Sequence, residues 1–158
     1  MSIFIGILVL SWIVGILLSI FGKKPESVLE YERLTFKSQL NVKTKYIGGN
    51  EEKLEAKDHI EIIISEECLG IARLNSIIKT IKWDKVGICK NINVASERGV
   101  SFSRFVTLGV FSLIGSKNTK ITNLVEINYY DDYILKTLFL EYNDKTNDLL
   151  RAIYKMKA

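Results

Sequence analysis

The chain has 158 residues, room for one short anchoring segment and one domain of ordinary size, which excludes two independent cores. Its 22 Lys+Arg and 18 Asp+Glu all fall after position 22, and the net charge of +4 is spread without a basic stripe, so nucleic acid is not an expected partner. One histidine and two cysteines leave little for acid–base, nucleophilic or metal chemistry.

Ile3 to Phe21 holds nineteen residues without a charge and with only two serines. As a helix rising about 1.5 Å per residue it would cover roughly 28 Å, close to a hydrocarbon core. Residues 1–22 are therefore expected to form a transmembrane anchor. A cleaved signal peptide would want its cations before the apolar run and a small-residue cleavage site after it. Here Lys23 and Lys24 follow the run, which also predicts a cytoplasmic domain with the N-terminus outside, because cations flanking a span stay on the cytoplasmic side. Both lysines are candidate membrane-interface residues, each gaining about 1 kcal/mol beside anionic lipid.

Residues 23–41 read as a juxtamembrane connector. Gly22 and Pro25 punctuate its start, and Val28, Tyr31 and Leu34 could line one face of a short helix. From residue 42 to 158 the texture becomes β-branched and aromatic, broken by turn residues. Lys43 to Ile47 predicts a first strand, closed by Gly48-Gly49-Asn50. Asp58 to Ser65 alternates Ile60, Ile62 and Ile64 against His59 and Glu61. Cys68 to Leu74 and Ile77 to Trp83 continue the series around an Asn75-Ser76 turn, with Ile77, Ile81 and Trp83 on one face. Val86, Ile88 and Ile92 mark a further strand.

Phe102 to Gly115 leaves two readings open. Phe105 to Gly115 holds eleven uncharged residues between Arg104 and Lys117, too few to span a bilayer. The segment is either a short element packed on the domain or an apolar loop meeting lipid or a partner through Phe102, Arg104, Phe105, Phe111 and Lys117. Asn123 to Tyr130 and Tyr133 to Tyr142 then predict a hairpin turning at Asp131-Asp132, the second strand apolar on both faces. Leu149, Leu150 and Ile153 predict a terminal helix docked on the sheet, capped by Asn143 or Asp144.

Antiparallel strands followed by one amphipathic helix resemble the pleckstrin-homology-like fold. The stretch from Ser103 to Asp132 is similar to one in small bacterial membrane-anchored proteins of that class, in Arg104, the Leu108 to Phe111 run, Lys117 and the Tyr129-Tyr130 pair. The resemblance implies an α+β architecture: an N-terminal transmembrane helix, then a mainly antiparallel incomplete barrel capped by the C-terminal helix. It also implies binding of peptides, proteins or lipid headgroups.

His59 alternates outward and reads as a solvated surface residue, and Cys68 and Cys89, 21 residues apart, read as core thiols. The pairs Glu51-Glu52, Glu66-Glu67 and Asp131-Asp132 fall in predicted turns, where carboxylates are solvated. No cofactor, metal or catalytic set is expected. The functional expectation is a membrane-tethered cytoplasmic module recruiting a protein or peptide through a sheet edge or the 102–115 segment. The alternative is a binder of lipid headgroups or small ligands.

Overall fold

The computed structural model describes residues 24–93 and 123–158. Helix α1 (Glu26–Phe36) leads into β1 (Ser38–Gly49), β2 (His59–Ser65), β3 (Cys68–Arg73) and β4 (Ser76–Lys82). A single 3-10 turn (Trp83–Lys85) then redirects the chain into β5 (Val86–Asn93), and β6 (Asn123–Asp131), β7 (Ile134–Glu141) and helix α2 (Thr146–Lys157) complete the domain. The seven strands form one antiparallel sheet in the order β4-β3-β2-β1-β7-β6-β5.

Alternation along these strands places Val42, Ile60, Ile62, Ile64, Leu69, Ile71, Val125, Ile127, Leu138 and Leu140 on one face. Leu149 and Ile153 of α2 bury themselves there, with Leu150 partly covered. The cap expected from Asn143 or Asp144 does not form: Lys145 holds the N-cap position without a side-chain bond, and the Asn143 and Asp144 side chains accept from the Lys145 amide just before the helix. Burying each large aliphatic side chain stabilises the fold by about 1.5–3 kcal/mol.

Helix α1 resolves the open question of the connector. Pro25 fixes φ at −54°, its carbonyl accepts the amides of Val28 and Leu29, and Ser38 Oγ donates to the Thr35 carbonyl at the far end. Leu34 packs on Ile63, Cys68 and Ala72 on the opposite face of the sheet from α2. The Tyr31 hydroxyl reaches Glu61 Oε2 at 2.9 Å.

The expected architecture requires correction. In place of an incomplete pleckstrin-homology-like barrel capped by one helix, the structure is an open seven-stranded sheet with a helix at each end of the described chain. The physical reason is the three-residue turn between β4 and β5, which redirects the chain without a ladder between them and leaves both as edges. The transmembrane helix in that expectation is likewise unsupported. Among the described residues no helix is long and apolar enough to cross a membrane, and residues 1–22 lie outside them.

Two local expectations also change. Ile77 does not share a face with Ile81, because a bulge opposite Ile71 and Ala72 inserts Ile78 and inverts the alternation. Ile77 therefore lies under α1, while Ile78 and Ile81 join the main core. A second irregularity between Val86 and Cys89 turns Val86 inward and leaves Ile88 exposed.

Gly48-Gly49 is not a turn but the end of a twelve-residue β1. Gly49 has φ +138°, and a Cβ there would stand 2.1 Å from the Thr137 carbonyl oxygen. Gly49→Ala is expected to lower unfolding free energy by at least about 2 kcal/mol, since strain of about 1–3 kcal/mol adds to the clash. A denaturant titration checks this.

Candidate functional site

The tip of the β6–β7 hairpin extends past both of its neighbours. Pairing of β5 with β6 ends at Val86 and Tyr129, and pairing of β1 with β7 ends at Gly49 and Leu138, whereas β6 and β7 continue to Asp131 and Ile134. Asp132 (φ 45°) and Tyr133 (φ 70°) close a two-residue turn, both in the left-handed region that matches strand twist. The turn lies one residue beyond the predicted Asp131-Asp132.

Glycine or asparagine would hold such a turn with least strain, yet this one carries a tyrosine. Tyr133 is 100% exposed, Ile134 63%, Tyr130 49% and Leu135 44%. Four large side chains thus share one protruding end. Beside them Asp84 and Lys85 of the 3-10 turn join Tyr130, Asp132 and Tyr133 around a cleft of about 320 Å³. Among the described residues neither Asp84 nor Asp132 belongs to an ion pair.

The base of the hairpin is held by charge. Lys79 Nζ of edge strand β4 donates to Asp131 Oδ2 at 2.6 Å, and Lys136 stands 3.5 Å from the same oxygen and 3.6 Å from Glu52. The bond from Lys79, then the charges of Lys79 and Lys136, hold the Asp131 carboxyl below its usual range against an opposing effect of desolvation. Burial disfavours the Lys136 ammonium, but Glu51, Glu52 and Asp131 outweigh it and raise its pKa.

Beneath this layer the Tyr129 hydroxyl donates to Glu51 Oε2, with Glu51 only 5% exposed. Burial first, then the hydrogen bond and charge of Glu51, raise the Tyr129 pKa. Burial also pushes the nearby Tyr46 phenol up to about 12, with Glu51's charge adding and its backbone amide opposing. Glu51 therefore corrects the expectation of solvated turn acids. Glu66 and Glu67 do lie exposed, Glu67 3.2 Å from Lys37.

Of the sequence-derived site residues, Lys23, Phe102, Arg104, Phe105, Phe111 and Lys117 lie outside the described residues. Lys24 is exposed and ion-paired with Glu32 of α1. His59 is exposed, while Cys68 and Cys89 are buried thiols; burial pushes Cys89 up to about 11, which keeps it protonated and unreactive. Among the described residues no group of three or more His, Cys, Asp or Glu could hold a metal ion. The sequence pattern does not reveal the tip, because Tyr133, Ile134 and Leu135 fit the start of a strand apolar on both faces. Their signal was a strand that opens apolar directly after a turn.

No protein-family model matches the chain, and no significant match was found among curated proteins. Of the stretch that carries the resemblance noted above, only Asn123 to Asp132 falls among the described residues.

Tyr129→Phe leaves a buried carboxyl without its phenolic donor and is expected to cost about 1–3 kcal/mol at pH 7. Both phenols have folded pKa values raised above the ordinary 10.0, so the stability they confer is complete below pH 10 and is lost as pH rises through the folded values. Denaturant midpoints measured upward from pH 10 should therefore fall less steeply in Tyr129→Phe than in the parent.

Proposed function

We propose that this domain is an interaction module that recruits a protein or peptide partner through the tip of the β6–β7 hairpin. The observation that carries the reading is the wholly exposed Tyr133, in a positive-φ turn beside exposed Tyr130, Ile134 and Leu135. Contiguous exposed apolar side chains lose free energy to water that a partner's surface returns, and tyrosine is enriched where binding energy concentrates. The described residues contain no comparable protruding apolar group on one element.

Protein is favoured over an anionic lipid surface by the charges around the tip. Asp84, Asp131, Asp132 and Glu52 face Lys79, Lys85 and Lys136, leaving no positive excess for headgroups to meet. Strand addition is disfavoured at β5, where Tyr154 Oη and Lys157 Nζ donate to the carbonyls of Cys89 and Gly87. The cell membrane as the place of action, with the domain on its cytoplasmic side, belongs to the same proposal; its support is the uncharged sequence of residues 3–21 and the lysines after it.

A photoreactive residue at Leu135 of the full-length chain is expected to give a discrete protein adduct in cells that express it, and one at Leu74, an isolated exposed side chain, is not. Combining Tyr133→Ala with Ile134→Ser should abolish the adduct while changing stability by no more than about 0.5 kcal/mol, as surface substitutions do. Crosslinks from Leu135 to lipid alone, or an adduct indifferent to the double substitution, would overturn the reading.

A further inference from the structure

We propose that the cleft beside the hairpin receives an arginine side chain of the partner, an inference that rests on the hairpin being the docking surface. Its carrying observation is the convergence of two tyrosines, Tyr130 and Tyr133, with two carboxylates that among the described residues join no ion pair, Asp84 and Asp132, on one opening of about 320 Å³. Aromatic rings attract cations through their quadrupole, and carboxylates attract them through charge. Few other ligands are complementary to both groups at once.

The neighbouring acids do not share this freedom. Asp131 is satisfied by Lys79 and Lys136, and Glu51 by Tyr129, so each already has its donor. Among the described residues Lys85 is the one cation lining the cleft, and against Asp84 and Asp132 those residues carry a net charge of −1. A single incoming cation brings the opening to neutrality, whereas a phosphate or carboxylate would deepen its charge.

The volume of the opening admits a side chain. The cleft lies at the lower end of the range of about 300–1,000 Å³ that small-molecule sites occupy. Between the two basic residues, guanidinium is favoured because it is planar, stacks on aromatic rings and presents a fork of donors to two carboxylates, while ammonium is a compact and strongly hydrated point charge. The two acids arrive from separate elements, the 3-10 turn and the hairpin turn, so a guanidinium bridging them would also tie the hairpin to the β4–β5 corner.

The probe is the acetylated, amidated peptide Gly-Arg-Gly, titrated into the full-length chain while the ring signals of Tyr130 and Tyr133 are followed by NMR. Saturable shifts with a Kd on the order of 1 mM are expected, as befits one anchored side chain. The same peptide with citrulline, nearly isosteric but uncharged, should bind at least about tenfold more weakly, and Asp84→Asn or Asp132→Asn should each weaken arginine binding about threefold or more through the lost charge. Asparagine tolerates the left-handed conformation of residue 132, so the turn is preserved.

Equal binding of the citrulline peptide, indifference to both aspartate substitutions, or no saturable shift at all would overturn the inference. If the Leu135 adduct persists while arginine binding fails, the cleft assignment falls and the hairpin surface stands. Absence of the adduct removes the docking surface itself.

Discussion

Strand β1 carries the mechanical continuity of this fold, because its two halves hydrogen-bond to different partners. Its first part, from Ser38 to Lys45, pairs with β2, and its last residues, Tyr46 to Gly49, pair with β7 across a register shift. The hydrogen-bond ladders of the β2–β3–β4 half and the β5–β6–β7 half are therefore joined through one strand. Gly49 sits at that junction, where backbone and the Thr137 carbonyl approach too closely for any Cβ. The Tyr46 hydroxyl lies 3.1 Å from where that Cβ would stand, so the core face and the strand end are packed against the same point.

From that junction the hairpin derives its combination of a fixed base and a free tip. Tyr129 to Glu51, Asp131 to Lys79 and Lys136 to Glu52 tie the base to the β1–β2 connection and to edge strand β4. The partly exposed ion pairs contribute little stability individually, since solvent screens them. Their consequence is positional: a surface already ordered before a partner arrives loses less entropy on binding. Among the described residues no neighbouring strand follows beyond Tyr130, and the apolar side chains there are exposed.

The sheet's two edges are managed differently from the hairpin tip. Side chains from α2 occupy two carbonyls of β5, and β4 has α1 on one side and the Lys79 to Asp131 bridge on another. Such coverage discourages indiscriminate strand pairing. It leaves the protruding turn as the surface where recognition by side chains dominates over recognition by backbone.

Strong alternation made much of the secondary structure legible in the sequence. Ile60, Ile62 and Ile64, the Val125, Ile127 and Tyr129 series, and the Leu149 and Ile153 spacing determined strands, a hairpin and a docked helix, because local period dictates which face meets the core. Tertiary structure decided what depends on partners distant in the chain. It set the open edges at β4 and β5, the bulge that turned Ile77 to the face under α1, the burial of Glu51 by a tyrosine 78 residues away, and the overshoot that exposes Tyr133. Period reports one strand's faces, but where a ladder stops, and which carboxylate meets which phenol, depends on register between strands that sequence spacing does not encode.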